Sequence, residues 1–163
     1  MKPAAHPSLL RIDDRLLHGQ VLVAWAAALR PDRIVLASDV VAADPERRAL
    51  YEALPQDDYE IAIVSLSEAA RELAAPETVL AVCGSPQEAL QVIAAGAPLQ
   101  SVQVGGLHDA PGKTRILDYV HVSAADRRAL GALAARGIAV VAQDLPSSRA
   151  HALDAALWGG PGD

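Results

Sequence analysis

Phenylalanine is absent from this 163-residue chain, and the other large side chains are scarce: one Met, two Trp and three Tyr. Ala, Val, Leu and Ile must therefore fill any core, and small side chains of that kind let helices approach a sheet closely. Cysteine is reduced to Cys83 alone. That excludes an intrachain disulfide framework and a multi-cysteine zinc site, and it fits a reducing, cytoplasmic setting. Lysine occurs only as Lys2 and Lys113, no Lys/Arg run is present, and the net charge is −6. A protein that neutralises nucleic-acid phosphates needs a basic face, so nucleic acid is not an expected partner. No window reaches about 18 uninterrupted apolar residues, so no direct membrane insertion is expected. The opening "MKPAAHPSLL" lacks the apolar stretch of a signal peptide.

What is present is 52% apolar, which excludes disorder, and the length suits a single domain over residues 1–163. Residues 1–7 read as an N-terminal arm and 158–163, ending "GGPGD", as a frayed tail. Strands are predicted at Leu9–Ile12, Arg33–Ala37, Glu60–Val64, Thr78–Val82, Ser101–Val104, Tyr119–Val122 and Ile138–Ala142. Helices are predicted at Gly19–Leu29, Asp44–Leu54, Leu66–Ala74, Pro86–Ala95, Ala124–Arg136 and Ser147–Leu157. Punctuation supports the helices: Asp44-Pro45 and Ser85-Pro86 are cap-then-proline starts, Ser123 is a cap, and Gly96 and Gly137 are stops. Strands alternating with helices indicate an α/β fold with an open, mainly parallel sheet of about six to seven strands between helix layers. The glycine-rich "GGLHDAPGKTRILD" interrupts that rhythm and suggests an irregular loop with antiparallel pairing nearby.

Open α/β sheets bind ligands beyond the carboxyl ends of their strands. The segments at those positions are "DDRLLHGQ", "SDVVAAD", "CGSP" and "GGLHDAPGKT", an anion-friendly collection. His18 in "RIDDRLLHGQV" falls just before a predicted helix start, where unpaired N–H groups and the helix dipole favour an anion. Phosphoryl stabilisation requires such surroundings, and Arg15 and Arg11 are close in sequence. Asp13 or Asp14 could hold the second ring nitrogen and so fix the tautomer. The plain alternative is a polar helix-start residue with no chemical role.

"RIDDRLLHGQV" closely resembles the active-site segment of the mannose/sorbose-family enzyme IIB component of the bacterial phosphotransferase system. "RIVLASDVVAADPERRALYEALP", "CGSPQEALQVIAAG", "SVQVGGLHDAPGKTRI" and "VHVSAADRRALGALAARGIAV" resemble later family segments in the same order, so the likeness spans roughly residues 8–145. It implies a cytoplasmic phosphocarrier whose His18 accepts a phosphoryl group from a phosphohistidine on a IIA partner. His18 then passes the group to a sugar entering through membrane components IIC and IID, with association to the membrane through them. No metal or organic cofactor is implied. Neutral imidazole is the nucleophile, through Nδ1 in this family. Arg15 is the first choice for stabilising the phosphoryl oxygens and Arg11 the second, and Asp13 orients His18 or Arg15. Asp14 joins the phosphoryl-binding group, as do Gly19 and Gln20 through their backbone N–H groups. Ser38, Asp39, Ser85 and a Gly105–Gly106 turn would rim the site. Each has a plainer alternative, as a cap, a solvated acid or a turn former.

Departures from the family pattern are Gln103 and Leu107, where Asn and Met are usual, and "CGSP". Cys83 lacks any companion motif and reads as a buried hydrophobe. His108 reads as an exposed loop histidine, and His6, His121 and His151 as incidental. Lys113 lacks the G-x-x-x-x-G-K-[ST] spacing of a phosphate loop and reads as a phosphate-facing or partner-facing charge. Trp25 and Leu29 share a helix face, with core packing the default and a docking surface the alternative. Two rival functions remain: a regulatory phosphoacceptor without sugar transport, using Asp39 in the manner of receiver domains, and a small-molecule binding module that is never phosphorylated.

Overall fold

The structure, a computed structural model, describes residues 7–158. The predicted arm and tail lie almost wholly outside those residues, as does His6. In chain order the elements are β1 (Leu9–Asp13), a π-helical segment (Gln20–Trp25) running into α1 (Ala26–Leu29), β2 (Arg33–Ala37), α2 (Asp39–Ala43), α3 (Pro45–Glu52), β3 (Glu60–Val64), α4 (Leu66–Ala74), β4 (Val79–Cys83), α5 (Pro86–Ala94), β5 (Ser101–Gly106), β6 (Thr114–Leu117), β7 (Val120–Val122), α6 (Ala124–Ala135), β8 (Ala139–Ala142), β9 (His151–Leu153) and α7 (Ala155–Trp158).

Seven strands form one sheet in the order β3-β2-β4-β1-β5-β8-β9, parallel except where β9 returns antiparallel on β8. Helices cover both faces, giving the three-layer α/β/α arrangement expected. The alternation of side chains along β1 shows why. Leu10 and Ile12 join one apolar cluster with residues of α4, α5 and α6. The opposite face meets a second cluster built from Leu17, Val21, Trp25, Ile34 and Leu36. Arg11 and Asp13 project to that second side by strand parity.

Strand β1 lies at the centre of the sheet. The chain leaves β1 toward β2 on one side and leaves β5 toward β8 on the other. Neighbouring strands whose connections part in this way open a crevice at their carboxyl ends. Register places Arg11 beside Gln103, and Asp13 beside Gly106 after an irregularity.

Three expectations change. The helix predicted over Ser147–Leu157 is instead a turn, strand β9 and the four-residue α7. Register puts Leu153 opposite Val140, and Leu153 is buried while Ala152 is exposed, the alternation of a strand. Pairing there covers the β8 edge, whose backbone groups would otherwise stand open. The segment predicted as one helix from Asp44 is preceded by a separate helix, α2, because Ser38 accepts a hydrogen bond from Val41 N and starts a turn of its own. Asp44 is extended between α2 and α3 and accepts from Glu46 N and Arg47 N. The glycine-rich connection contains the β6–β7 antiparallel hairpin, so pairing extends further into it than an irregular loop.

Candidate functional site

The site is built on the last residues of β1. Asp13 is fully buried, and both of its carboxylate oxygens are engaged. Oδ1 accepts from Arg15 N at 3.1 Å and from Arg15 Nε at 3.4 Å. Oδ2 lies 3.0 Å from His18 Nε2 and 3.6 Å from Arg11 Nη2. One carboxylate therefore joins all the basic side chains of "RIDDRLLH".

The loop that carries His18 is held at several points. Leu16 N donates to Asp13 O at 2.9 Å, closing a turn. Leu16 then takes a φ of 59°, in the left-handed region, which costs a non-glycine residue about 1 kcal/mol. Leu17 anchors the loop in the second apolar cluster. His18 is 18% exposed, and its backbone carbonyl accepts from Leu22 N at the helix start. A carboxylate accepts, so a ring proton on Nε2 would be donated to Asp13 and leave the Nδ1 lone pair uncommitted, which is what a neutral imidazole nucleophile needs.

Arg15 is 39% exposed and donates to Gln20 Oε1 at 2.9 Å. Its guanidinium faces a cleft of about 380 Å³ lined also by Gln20, Gly106, His108, Tyr119 and Asp144. Arg15 and His18 thus share Asp13 while one of them faces open space. A guanidinium placed so can meet the oxygens of an anion brought to the imidazole. Among the described residues no cluster of His, Cys, Asp and Glu could hold a metal ion.

Residues 7–158 match the family of the phosphotransferase-system sorbose-subfamily IIB component. The fructose-specific EIIB component of Bacillus subtilis (strain 168) is 32% identical over 143 residues, covering 85% of this chain and 88% of that protein. The N-acetylgalactosamine-specific IIB component 2 of Escherichia coli (strain K12) is 32% identical over 145 residues, covering 87% and 92%. The crystal structure of the IIBSor domain of the Klebsiella pneumoniae sorbose permease superposes with a TM-score of 0.80 at 28% identity, over 88% of this chain and 91% of that one.

The chain belongs to the sorbose subfamily of phosphotransferase-system IIB components.

A IIB component is a phosphocarrier that relays a phosphoryl group from IIA toward sugar by way of IIC and IID, and this chain is a component of that kind. Within its IIB fold, the structure reassigns several residues expected at the phosphoryl group. Arg11 is fully buried and cannot meet a ligand. Its Nη1 donates to Gln103 Oε1 at 2.5 Å and Gln143 O at 2.9 Å, its Nη2 to Asp144 O at 2.9 Å, and its guanidinium lies 4.9 Å from the Trp25 ring centroid. Burial draws its pKa down to about 10, opposed by the Asp13 charge, so it remains a cation at neutral pH. Asp14 is turned to the loop after β5: it accepts from His108 N at 2.8 Å and lies 2.5 Å from His108 Nδ1. It is a tether, and His108, though exposed, is its partner.

The proposed rim divides in the same way. Ser38 caps α2, and Ser85 caps α5 by accepting from Glu88 N. Asp39 Oδ1 accepts from Leu66 N at 2.9 Å, joining the loops after β2 and β3. Ser38 and Ser85 show the capping of their plainer alternatives, whereas Asp39 is a tether between loops and not a merely solvated acid. Gly105 and Gly106 end the buried strand β5 and do not form a turn. A Cβ on Gly105 would stand 2.0 Å from Arg11 Cζ, so this glycine makes room for the guanidinium. Gly19 lies open, with nothing within 4 Å of where a Cβ would stand, and Gln20 holds Arg15.

Cys83 is wholly buried, and burial pushes its thiol far up, so no thiolate forms there. Lys113 faces Asp126 at 3.9 Å at the start of α6, a structural pairing in place of the phosphate or partner expected. Trp25 is core: it is 5% exposed and donates Nε1–H to Asp144 O at 2.8 Å. Sequence reasoning missed the contribution of Gln143 and Asp144, which act through main-chain carbonyls and so leave no side-chain signature. Among the described residues no helix is long and apolar enough to cross a membrane.

Proposed function

We propose that His18 Nδ1 is the phosphoryl acceptor of this IIB component. The single observation that carries the assignment is the 3.0 Å contact between His18 Nε2 and the buried Asp13 carboxylate. On this reading the contact holds the ring proton on Nε2 and leaves Nδ1 as the nucleophile. Attack on a phosphohistidine of the IIA partner breaks its P–N bond, returns that electron pair to the donor imidazole and forms a P–N bond at Nδ1. The His18 ring becomes more positive as the bond forms, and Asp13 stabilises that charge. Arg15 meets the phosphoryl oxygens, and the N–H groups of Gly19 and Gln20 add dipolar support at the helix start. A sugar hydroxyl delivered through IIC and IID then attacks phosphorus and gives up its proton to solvent, while the P–N bond breaks and its electron pair returns to Nδ1.

Incubation with phosphoenolpyruvate and the upstream carriers tests this by intact mass and site mapping. One phosphoryl group is expected, stable in base, lost in acid and absent from His18→Ala. A base-labile label retained in His18→Ala would instead indicate an acyl phosphate on Asp39. No mass change at all would indicate a binding module.

A further inference from the structure

A buried arginine with no access to ligand stands directly behind the acceptor. Arg11 has its Nη atoms committed to three carbonyl oxygens, from Gln103, Gln143 and Asp144, while Nε makes no hydrogen bond. Two of those oxygens belong to main chain just after β8. Its ion-pair partner is Asp13 Oδ2 at 3.6 Å, the oxygen that also meets His18 Nε2, with Arg15, Asp144 and Tyr119 also close enough to act on its charge. Trp25 closes one flat side of the guanidinium, and the absence of a side chain at Gly105 leaves room for it. This is an expensive arrangement for a protein interior, since a buried ion pair adds little stability over apolar side chains of the same size.

We propose that Arg11 is a positioning residue for phosphoryl transfer: anchored to the segment after β8, it fixes the Asp13 carboxylate so that Asp13 holds the Nε2–H tautomer of His18. The proposal rests on His18 being the acceptor. The physical reasoning is geometric. Asp13 must present Oδ1 to Arg15 and Oδ2 to His18 at the same time. Rotation about its χ2 angle, which is soft for a carboxylate, would break both. A planar guanidinium held at three points supplies a fixed positive charge against Oδ2 and opposes that rotation. A lysine ammonium is a point charge on a flexible stem and cannot hold the same geometry.

The test is long-range ¹H–¹⁵N NMR of the His18 ring in the unphosphorylated full chain, which reports the tautomer without any transfer. Wild type is expected to show the Nε2–H form in at least about tenfold excess across the pH range where the ring is neutral. Arg11→Lys should bring the two tautomers to within about threefold of each other, lower the rate of phosphoryl acceptance about 10- to 100-fold and shift its pH profile. Gln103→Leu, which removes one anchor and keeps the guanidinium, should give a smaller shift in the same direction. It keeps the proposal open to refutation if Arg11→Lys does not fold. A folded Arg11→Lys with the wild-type tautomer ratio and pH profile overturns the proposal, as does an unchanged ratio in Gln103→Leu. Because the tautomer is read before transfer, failure of His18 to take up phosphate would appear separately as a wild type that is never labelled.

Discussion

Asp13→Asn replaces the one group that every basic residue of the site shares. The amide keeps one acceptor oxygen and gains an NH2, so two placements are available. If the oxygen stays on Arg15 N, now 3.1 Å from Oδ1, the NH2 faces His18 Nε2 and Arg11. Nε2 must then accept, and the ring proton moves to Nδ1, the atom proposed as nucleophile. In the flipped placement, NH2 meets the Arg15 N–H and donor opposes donor. Both placements also leave Arg11 as a buried cation without its carboxylate, a loss of about 3 kcal/mol, at the low end for a broken buried pair because three carbonyl oxygens remain. The wrong tautomer, together with the lost stabilisation of the ring cation, should lower the rate of phosphoryl acceptance on the order of 10³-fold or more.

Two assays separate these effects: quenched-flow transfer from phosphorylated IIA, and urea denaturation of the same samples. The double variant Asp13→Asn with Arg11→Met should recover much of the stability, since Met fills the volume without a charge, yet recover none of the rate. A folded Asp13→Asn that accepts phosphate within about tenfold of wild type, a difference of about 1.4 kcal/mol in barrier, would refute the assigned tautomer role.

Neighbouring glycines should respond unequally. Gly105→Ala places a methyl 2.0 Å from Arg11 Cζ and should cost about 2 kcal/mol or more in urea denaturation, while Gly106→Ala meets Asp13 only at 3.5 Å and should cost under about 1 kcal/mol. Cys83→Ala should take up phosphate to the wild-type extent by intact mass, because the thiol is buried and its ionisation strongly disfavoured; loss of labelling in a folded variant would reopen the cysteine. Glu88 has its pKa raised, chiefly by burial, so its ionisation works against the fold and its favourable contribution fades as pH rises through its folded value. Glu88→Gln keeps an acceptor for Gly84 N and should melt higher than wild type near pH 7, with the gap closing as pH falls through the carboxylate range; a pH-independent gap in thermal melts would contradict this.

Strands are the most legible part of the chain. Arg33–Ala37 and Glu60–Val64 are observed with the predicted bounds; Ile34–Ala37 are all buried, as in a parallel strand covered on both faces, which reads as an uninterrupted apolar run. Leu66–Ala74 is equally plain, set by Ser65 and Glu68 in a reciprocal cap. "HAL" escapes a sequence reading because three residues carry no resolvable period, and only the open edge of β8 makes them a strand. In the site, the position of His18 on the loop between the first strand and the first helix can be read directly. The capping roles of Ser38 and Ser85 are legible as alternatives, and the decision between cap and ligand requires the observed hydrogen bonds. Gln103 stands out in the sequence only as a departure from the family pattern, and its contact with Arg11 gives that departure a physical content.

Arg11 and Arg15 show why residue type alone does not assign roles. They lie four apart in one motif and contact the same carboxylate. Arg11 is inside β1, and strand parity turns it away from Leu10 and Ile12 toward Trp25 and the helix that covers that face. Arg15 comes two residues after the strand ends, on a loop kept open by the left-handed turn at Leu16. The first guanidinium is therefore committed to carbonyl oxygens and the second retains exposed donors beside a cleft. A carrier that must bind, hold and release one anion gains from this separation. On the proposed assignment, the charge that orients His18 is the buried Arg11, and the charge offered to the phosphoryl group is the part-exposed Arg15 beside the cleft.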